Sequence, residues 1–122
     1  MEKPTVGLVE GPPPADLVIE DITIGDGQEV RSGQWAVVHY VGVSFDSGEE
    51  FDASWNHGSP FSFQVGGGRV IEGWDQGVPG MRIGGRRRLV IPPHLGYGNQ
   101  GAGNRIKPGA TLVFVVDLVG VQ

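Results

Sequence analysis

Residues Trp35–Phe45, WAVVHYVGVSF, form the longest run of β-branched and aromatic side chains in the chain. Such residues fit a pleated strand. Their apolar positions fall on both parities, with Ala36, Val38 and Tyr40 on one and Val37, Val41 and Val43 on the other. A strand with one solvated face alternates apolar with polar, so this run predicts a strand covered on both sides. Working outward, Asp46-Ser47-Gly48 turns the chain and Glu50–Ser54 returns as a short strand. Phe61–Val65 sets Phe61, Phe63 and Val65 against Ser62 and Gln64, the period of a half-buried strand. Upstream, Leu17–Ile24 (LVIEDITI) is β-branched and ends at the turn signal Gly25-Asp26-Gly27. Downstream, Arg88–Ile91 and Thr111–Val121 complete the strands. In the last, Leu112, Phe114, Val116 and Leu118 share one face while Asp117 interrupts the other.

The spacing predicts one helix, over Val70–Val78. Ile71, Trp74 and Val78 recur at intervals of three and four, which places them on one face. Pro79 and Gly80 bar its continuation. Pro92–Pro108 is a long loop holding Gly96, Gly98, Gly101 and Gly103, and loops of this length are functional or disordered. Residues 1–15 contain Pro12-Pro13-Pro14, which favours an extended segment without internal hydrogen bonds. They are expected to form a flexible N-terminal arm, leaving 16–122 as one domain. There are no internal repeats. The expected class is α+β, a mostly antiparallel sheet with one short helix packed on it.

With 122 residues, 39% of them hydrophobic, the chain can build a core without metal or disulfide. Its 22 Gly and 9 Pro are scattered between apolar segments, as turns in a strand-rich fold are, rather than clustered. A net charge of −5 argues against nucleic acid or an anionic membrane as partner. The absence of Cys excludes disulfides, thiol catalysis and cysteine-ligated metal. No segment has the apolar length of a membrane span or a signal h-region, so a cytoplasmic protein is expected.

Much familiar chemistry has no footing. His39, His57 and His94 lack metal-ligand spacing, so no metal or other cofactor is expected. No Gly-x-Ser-x-Gly elbow occurs. Gly66-Gly67-Gly68-Arg69 precedes a helix but lacks the Lys-Ser/Thr of a phosphate loop, and reads as a flexible turn. Arg86-Arg87-Arg88 reads as a solvated face or an edge guarded against aggregation. What remains is a set of aromatics where strands and loops meet: Tyr40, Phe51, Phe61, Trp74, Tyr97 and Phe114. Singly, each reads as core. As a set, with Asp52 available to a buried tyrosine hydroxyl, they describe an aromatic pocket for a small ligand or peptide.

These residues also occur in a familiar order. Val37-Val38-His39-Tyr40-Val41-Gly42, Phe51-Asp52-Ala53-Ser54, Val70 to Gly77 (VIEGWDQG), Leu95-Gly96-Tyr97-Gly98 and Ala110-Thr111-Leu112-Val113-Phe114 follow one another as in FKBP domains. From Leu17 to Val121 the chain resembles this family of macrolide-binding prolyl isomerases. The resemblance implies a twisted antiparallel sheet wrapped around one short helix, and a single-domain peptidyl-prolyl cis–trans isomerase. It implies a prolyl pocket floored by Trp74 and walled by Tyr40, Phe61, Val70, Ile71 and Phe114. Phe51 and Asp52 would line its carbonyl side, Tyr97 and Ile106 its rim, and His57, beside Asp52, would bind substrate with Phe61, Val70 and Ile106. By the same resemblance the Ile71 N–H and the Tyr97 hydroxyl would hydrogen-bond ligands. Arg69, Ala102 and Arg105 depart from the family's usual rim, and His57 stands where an Arg is common. The implied partners are proline-containing peptides, unfolded or folding proteins, and macrolides such as rapamycin or tacrolimus, bound by a monomer. The alternative is a non-catalytic module using the same pocket to bind a proline peptide or macrolide. A general holding chaperone is the weaker rival, because the chain has no room for an inserted flap domain.

Overall fold

The computed structural model describes residues 2–7 and 9–122. The strand-forming runs become β1 (Val18–Thr23), β2 (Trp35–Ser44), β3 (Glu50–Ala53), β4 (Phe61–Gln64), β5 (Arg86–Ile91) and β6 (Leu112–Val121). The helix α1 spans Glu72–Gly77, shorter than Val70–Val78, because Ile71 at its N-cap is extended with ψ 147°. These strands pair antiparallel in the order β1-β5-β6-β2-β3, with β4 also on β2. This is the expected α+β arrangement of an antiparallel sheet with one short helix.

The two parities of β2 are indeed both covered. Ala36 and Val38 join Leu89, Ile91, Leu112, Phe114, Val116 and Leu118 on the inner face, against Trp74, Val78 and Met81. Val41 and Val43 lie on the outer face with Phe45, Ala53, Val90 and Val113. Val6 and Val9, from the segment expected to form an arm, pack on this outer cluster, and Lys3 reaches Glu50 at 2.9 Å.

One edge of β2 is hydrogen-bonded to β6 along its length. The other is divided, with Trp35–Val38 paired to β4 and Val41–Val43 to β3. A 3₁₀ turn at Ser54–His57 fills the interval between β3 and β4. Tyr40 falls opposite that interval, and its backbone N–H donates instead to Ser54 Oγ at 2.7 Å. The buried hydroxyl thus stands in for a missing strand neighbour.

Helix α1 lies close on the sheet. A Cβ at Gly73 would come within 2.6 Å of the Ile91 side chain, and one at Gly77 within 2.7 Å of Leu89. Two glycines within a six-residue helix weaken it by about 1 kcal/mol each. Here they are what let it approach β5.

The arginine triplet is not the solvated or guarded edge expected of it. β5 lies between β1 and β6, and each arginine has a carboxylate from a neighbouring strand. Arg86 grips buried Asp117 with Nε–Oδ1 2.6 Å and Nη2–Oδ2 3.1 Å. Arg88 reaches Glu20 at 2.8 Å. Arg87 meets Asp21 at 2.7 Å and donates from Nη1 to the carbonyls of Gly77 and Pro79, capping the C-terminal end of α1. Asp117 has no exposed surface, so removing its charge leaves Arg86 without the partner that offsets its desolvation. Asp117→Ala is expected to lower unfolding free energy by about 3–5 kcal/mol in urea titrations. Glu20→Ala, at an exposed ion pair, is expected to cost about 1 kcal/mol or less.

Candidate active site

A cavity of about 390 Å³ opens between the sheet, α1 and the long loop before β6. Trp74, 4% exposed, lies at the centre of its aromatic lining. Its ring stands edge to face with Tyr40 at 4.9 Å, Phe114 at 5.3 Å and Phe61 at 6.1 Å between centroids. Phe63 lies 5.5 Å away, tilted. These separations and angles are those at which aromatic quadrupoles attract. The buried Trp74 Nε1 has no hydrogen-bond partner among the described residues.

Phe51 and Asp52 both line this cavity, although neighbours in a strand normally point to opposite faces. The register explains it. Gly42 pairs with Asp52 and Val43 with Glu50, so Phe51 is the extra residue of a bulge that turns its ring inward. There it meets Phe114 edge to face at 5.4 Å. A Cβ at Gly42 would lie 2.6 Å from Phe114 and 2.7 Å from Phe51, so only glycine lets the two rings meet over β2.

The polar groups are few. Tyr40 Oη donates to Asp52 Oδ2 at 2.6 Å, and His57 Nε2 approaches Asp52 Oδ1 at 3.3 Å. Burial, then the hydrogen bond and charge of Asp52, push the Tyr40 hydroxyl well above the usual tyrosine range. Burial and Asp52 push Tyr97 in the same direction. Both therefore stay protonated at neutral pH. The Tyr97 hydroxyl has no partner among the described residues, and its side chain is 40% exposed at the mouth.

The mouth and walls of this cavity carry Val70, Ile71, Tyr97 and Ile106, so one concavity gathers residues from four strands, the helix N-terminus and the long loop. Over residues 26–119 the chain matches the family model described as FKBP-type peptidyl-prolyl cis-trans isomerase. The chain belongs to this family. The isomerase is 62% identical to an FK506-binding protein of Streptomyces anulatus, over 99% of this chain and 98% of the relative. It is 52% identical to a probable FK506-binding protein of Corynebacterium glutamicum, over 98% of each. A crystal structure of AtFKBP13 superposes with a TM-score of 0.80 at 41% identity, covering 87% of this chain and 93% of that one.

The isomerase brings together Tyr40, Phe51, Asp52, Phe61, Val70, Ile71, Trp74, Tyr97, Ile106 and Phe114 as cavity lining. His57 is the exception among the expected site residues. It touches Asp52 from the solvent side and does not line the cavity, because the 3₁₀ turn carries it outward. Arg69, Ala102 and Arg105 join the lining. Ser54 is the residue that sequence reasoning did not single out. It holds the Tyr40 N–H and bonds His39 Nδ1 at 2.9 Å, but a serine at a strand end carries no signal of that role.

Because the folded protein holds Tyr40 protonated beyond its unfolded value, this contribution is complete below about pH 10 and fades as pH rises above it. The urea midpoint is expected to fall as pH is raised past about 10, and Tyr40→Phe to fall less steeply. Equal slopes would show that Tyr40 is not the group responsible.

Proposed function

We propose that this isomerase turns the Xaa-Pro bond inside the Trp74 cavity without a covalent intermediate, with the prolyl ring seated on the Trp74 indole. Tyr40, Phe61, Val70 and Phe114 act as its walls, Phe51 and Asp52 as its carbonyl side, and Ile106 as an apolar rim. The observation that carries this reading is the enclosure of Trp74 by aromatic edges within a cavity of about 390 Å³.

The amide barrier is about 18–20 kcal/mol, because rotation destroys C–N resonance. No bond to carbon is made or broken, so no nucleophile is required. In the twisted transition state the carbonyl is less polar than in the planar amide. Transfer from water into an aromatic cavity therefore raises the ground state more than the transition state. The Tyr40 hydroxyl is committed to Asp52, which leaves the Tyr97 hydroxyl and the Ile71 N–H as donors toward the bound carbonyls. A 10⁴-fold acceleration asks for only about 5–6 kcal/mol, within reach of several modest effects.

The substrates proposed are proline-containing peptides and folding proteins, and the names of the FK506-binding relatives support macrolides such as rapamycin or tacrolimus as competing ligands. His57 would face Asp52 from outside the cavity rather than line the prolyl seat. Residues 16–122 are proposed as the isomerase domain and 1–15 as an arm outside it, in a cytoplasmic monomer. No helix among the described residues is long and apolar enough to cross a membrane.

NMR exchange spectroscopy on a short Leu-Pro peptide with catalytic amounts of protein is expected to show accelerated exchange that rapamycin abolishes. Trp74→Leu is expected to lower kcat/KM by about tenfold or more, since it removes the floor. Macrolide binding without any acceleration would instead identify a binding module.

A further inference from the structure

The mouth of the cavity carries charge opposite to that of the chain as a whole. Its lining holds one carboxylate, Asp52, and two guanidiniums, Arg69 and Arg105, in a protein of net charge −5. Asp52 already accepts from Tyr40 and faces His57. The arginines are less engaged. Arg82, Arg86, Arg87 and Arg88 each pair with a carboxylate, whereas among the described residues neither Arg69 nor Arg105 does.

Arg105 is held in place without losing its charge. Its Nη2 donates to the Glu50 backbone carbonyl at 2.6 Å, and the Glu50 carboxylate is held by Lys3 and Asn56, both at 2.9 Å, feeling the Arg105 charge without an ion pair to it. Arg69 is exposed at the end of the Gly66–Gly68 turn. The nearby acid, Asp75, is occupied by the backbone N–H groups of Gly66 and Gly68, both at 2.9 Å. The two cations also sit on different segments. Arg69 directly precedes Val70 and Ile71, and Arg105 directly precedes Ile106, so each adjoins apolar lining. A peptide laid over Trp74 would carry the neighbours of its proline past one or both.

We propose that Arg69 and Arg105 are specificity-determining residues that select prolines flanked by Asp or Glu. This rests on the isomerase reading of the cavity and names its substrate class. The net charge repels acidic peptides at long range, so the preference arises at contact. Exposed ion pairs are modest and screened by salt, which sets the expected effect at about three- to tenfold in kcat/KM.

The experiment compares exchange rates of blocked Ala-Glu-Pro-Glu-Ala, Ala-Lys-Pro-Lys-Ala and Ala-Leu-Pro-Leu-Ala at low and high salt. The Glu peptide is expected to exceed the Lys peptide by about three- to tenfold at low salt, and by less near 0.5 M. The combined Arg69→Glu and Arg105→Glu variant is expected to invert that ratio, in which any general loss of activity cancels. Arg69→Glu alone, at an exposed position, keeps the test open should the combined variant not fold, and is expected to lower the ratio about threefold. Arg69→Lys is expected to retain it. A wild-type ratio at or below one, or a ratio unmoved by Arg69→Glu, with the Leu peptide still accelerated, overturns the proposal and leaves the isomerase reading standing. Acceleration of none of the three overturns both.

Discussion

The approach of α1 to β5 is the contact on which the site depends. Gly73 and Gly77 present no side chains to Ile91 and Leu89, so the helix settles directly onto the sheet. Trp74, between them in sequence, is thereby carried to where Tyr40, Phe63 and Phe114 enclose it. A helix of six residues has little stability of its own, since nucleation is costly and few turns repay it. Packing holds it, and Arg87 caps its far end from within β5. Helix, strand and cavity floor are one mechanical unit.

The rest of the pocket follows from irregularities in the sheet. An unbroken ladder along β2 would point Phe51 and Asp52 to opposite faces. The bulge at Phe51 lets both line the cavity, and the division of the β2 edge between β3 and β4 leaves Tyr40 beside Ser54 instead of a strand. Both departures are placed where the cavity opens in the sheet. Their polar consequences are confined to one chain of groups, Ser54 to the Tyr40 backbone and the Tyr40 hydroxyl to Asp52. A wall so tied is preorganised, which suits chemistry that rests on shape and desolvation.

Charge is handled differently on the two sides of the molecule. In the β1–β5–β6 half the arginines are matched to acids from neighbouring strands, and the buried carboxylate of Asp117 is gripped by two nitrogens. At the cavity mouth the guanidiniums are anchored through backbone or left to solvent. The first pattern stabilises the fold, and the second leaves charge available to whatever enters.

Residue type, turn signals and local period marked the strands, the two-sided burial of β2 and the helix face of Ile71, Trp74 and Val78, because each depends on residues a few positions apart. The aromatic set of Tyr40, Phe51, Phe61, Trp74, Tyr97 and Phe114 was legible from residue type at strand and loop junctions, together with the ordered motifs of the FKBP family. What the pattern could not convey was which elements lie beside which. The Arg86–Arg88 run read as a guarded edge because its acids, Asp117, Asp21 and Glu20, come from strands distant in sequence. The resemblance set His57 beside Asp52, where it stands, but the outward 3₁₀ turn that keeps it off the cavity lining had no mark in the sequence. Gly66 to Gly68 read as a flexible turn, and only the fold ties the N–H groups of Gly66 and Gly68 to Asp75. Side-chain chemistry and local period are written along the chain. Strand neighbours, bulges and hydrogen-bond partners arise only when distant segments meet, and there the tertiary structure decided.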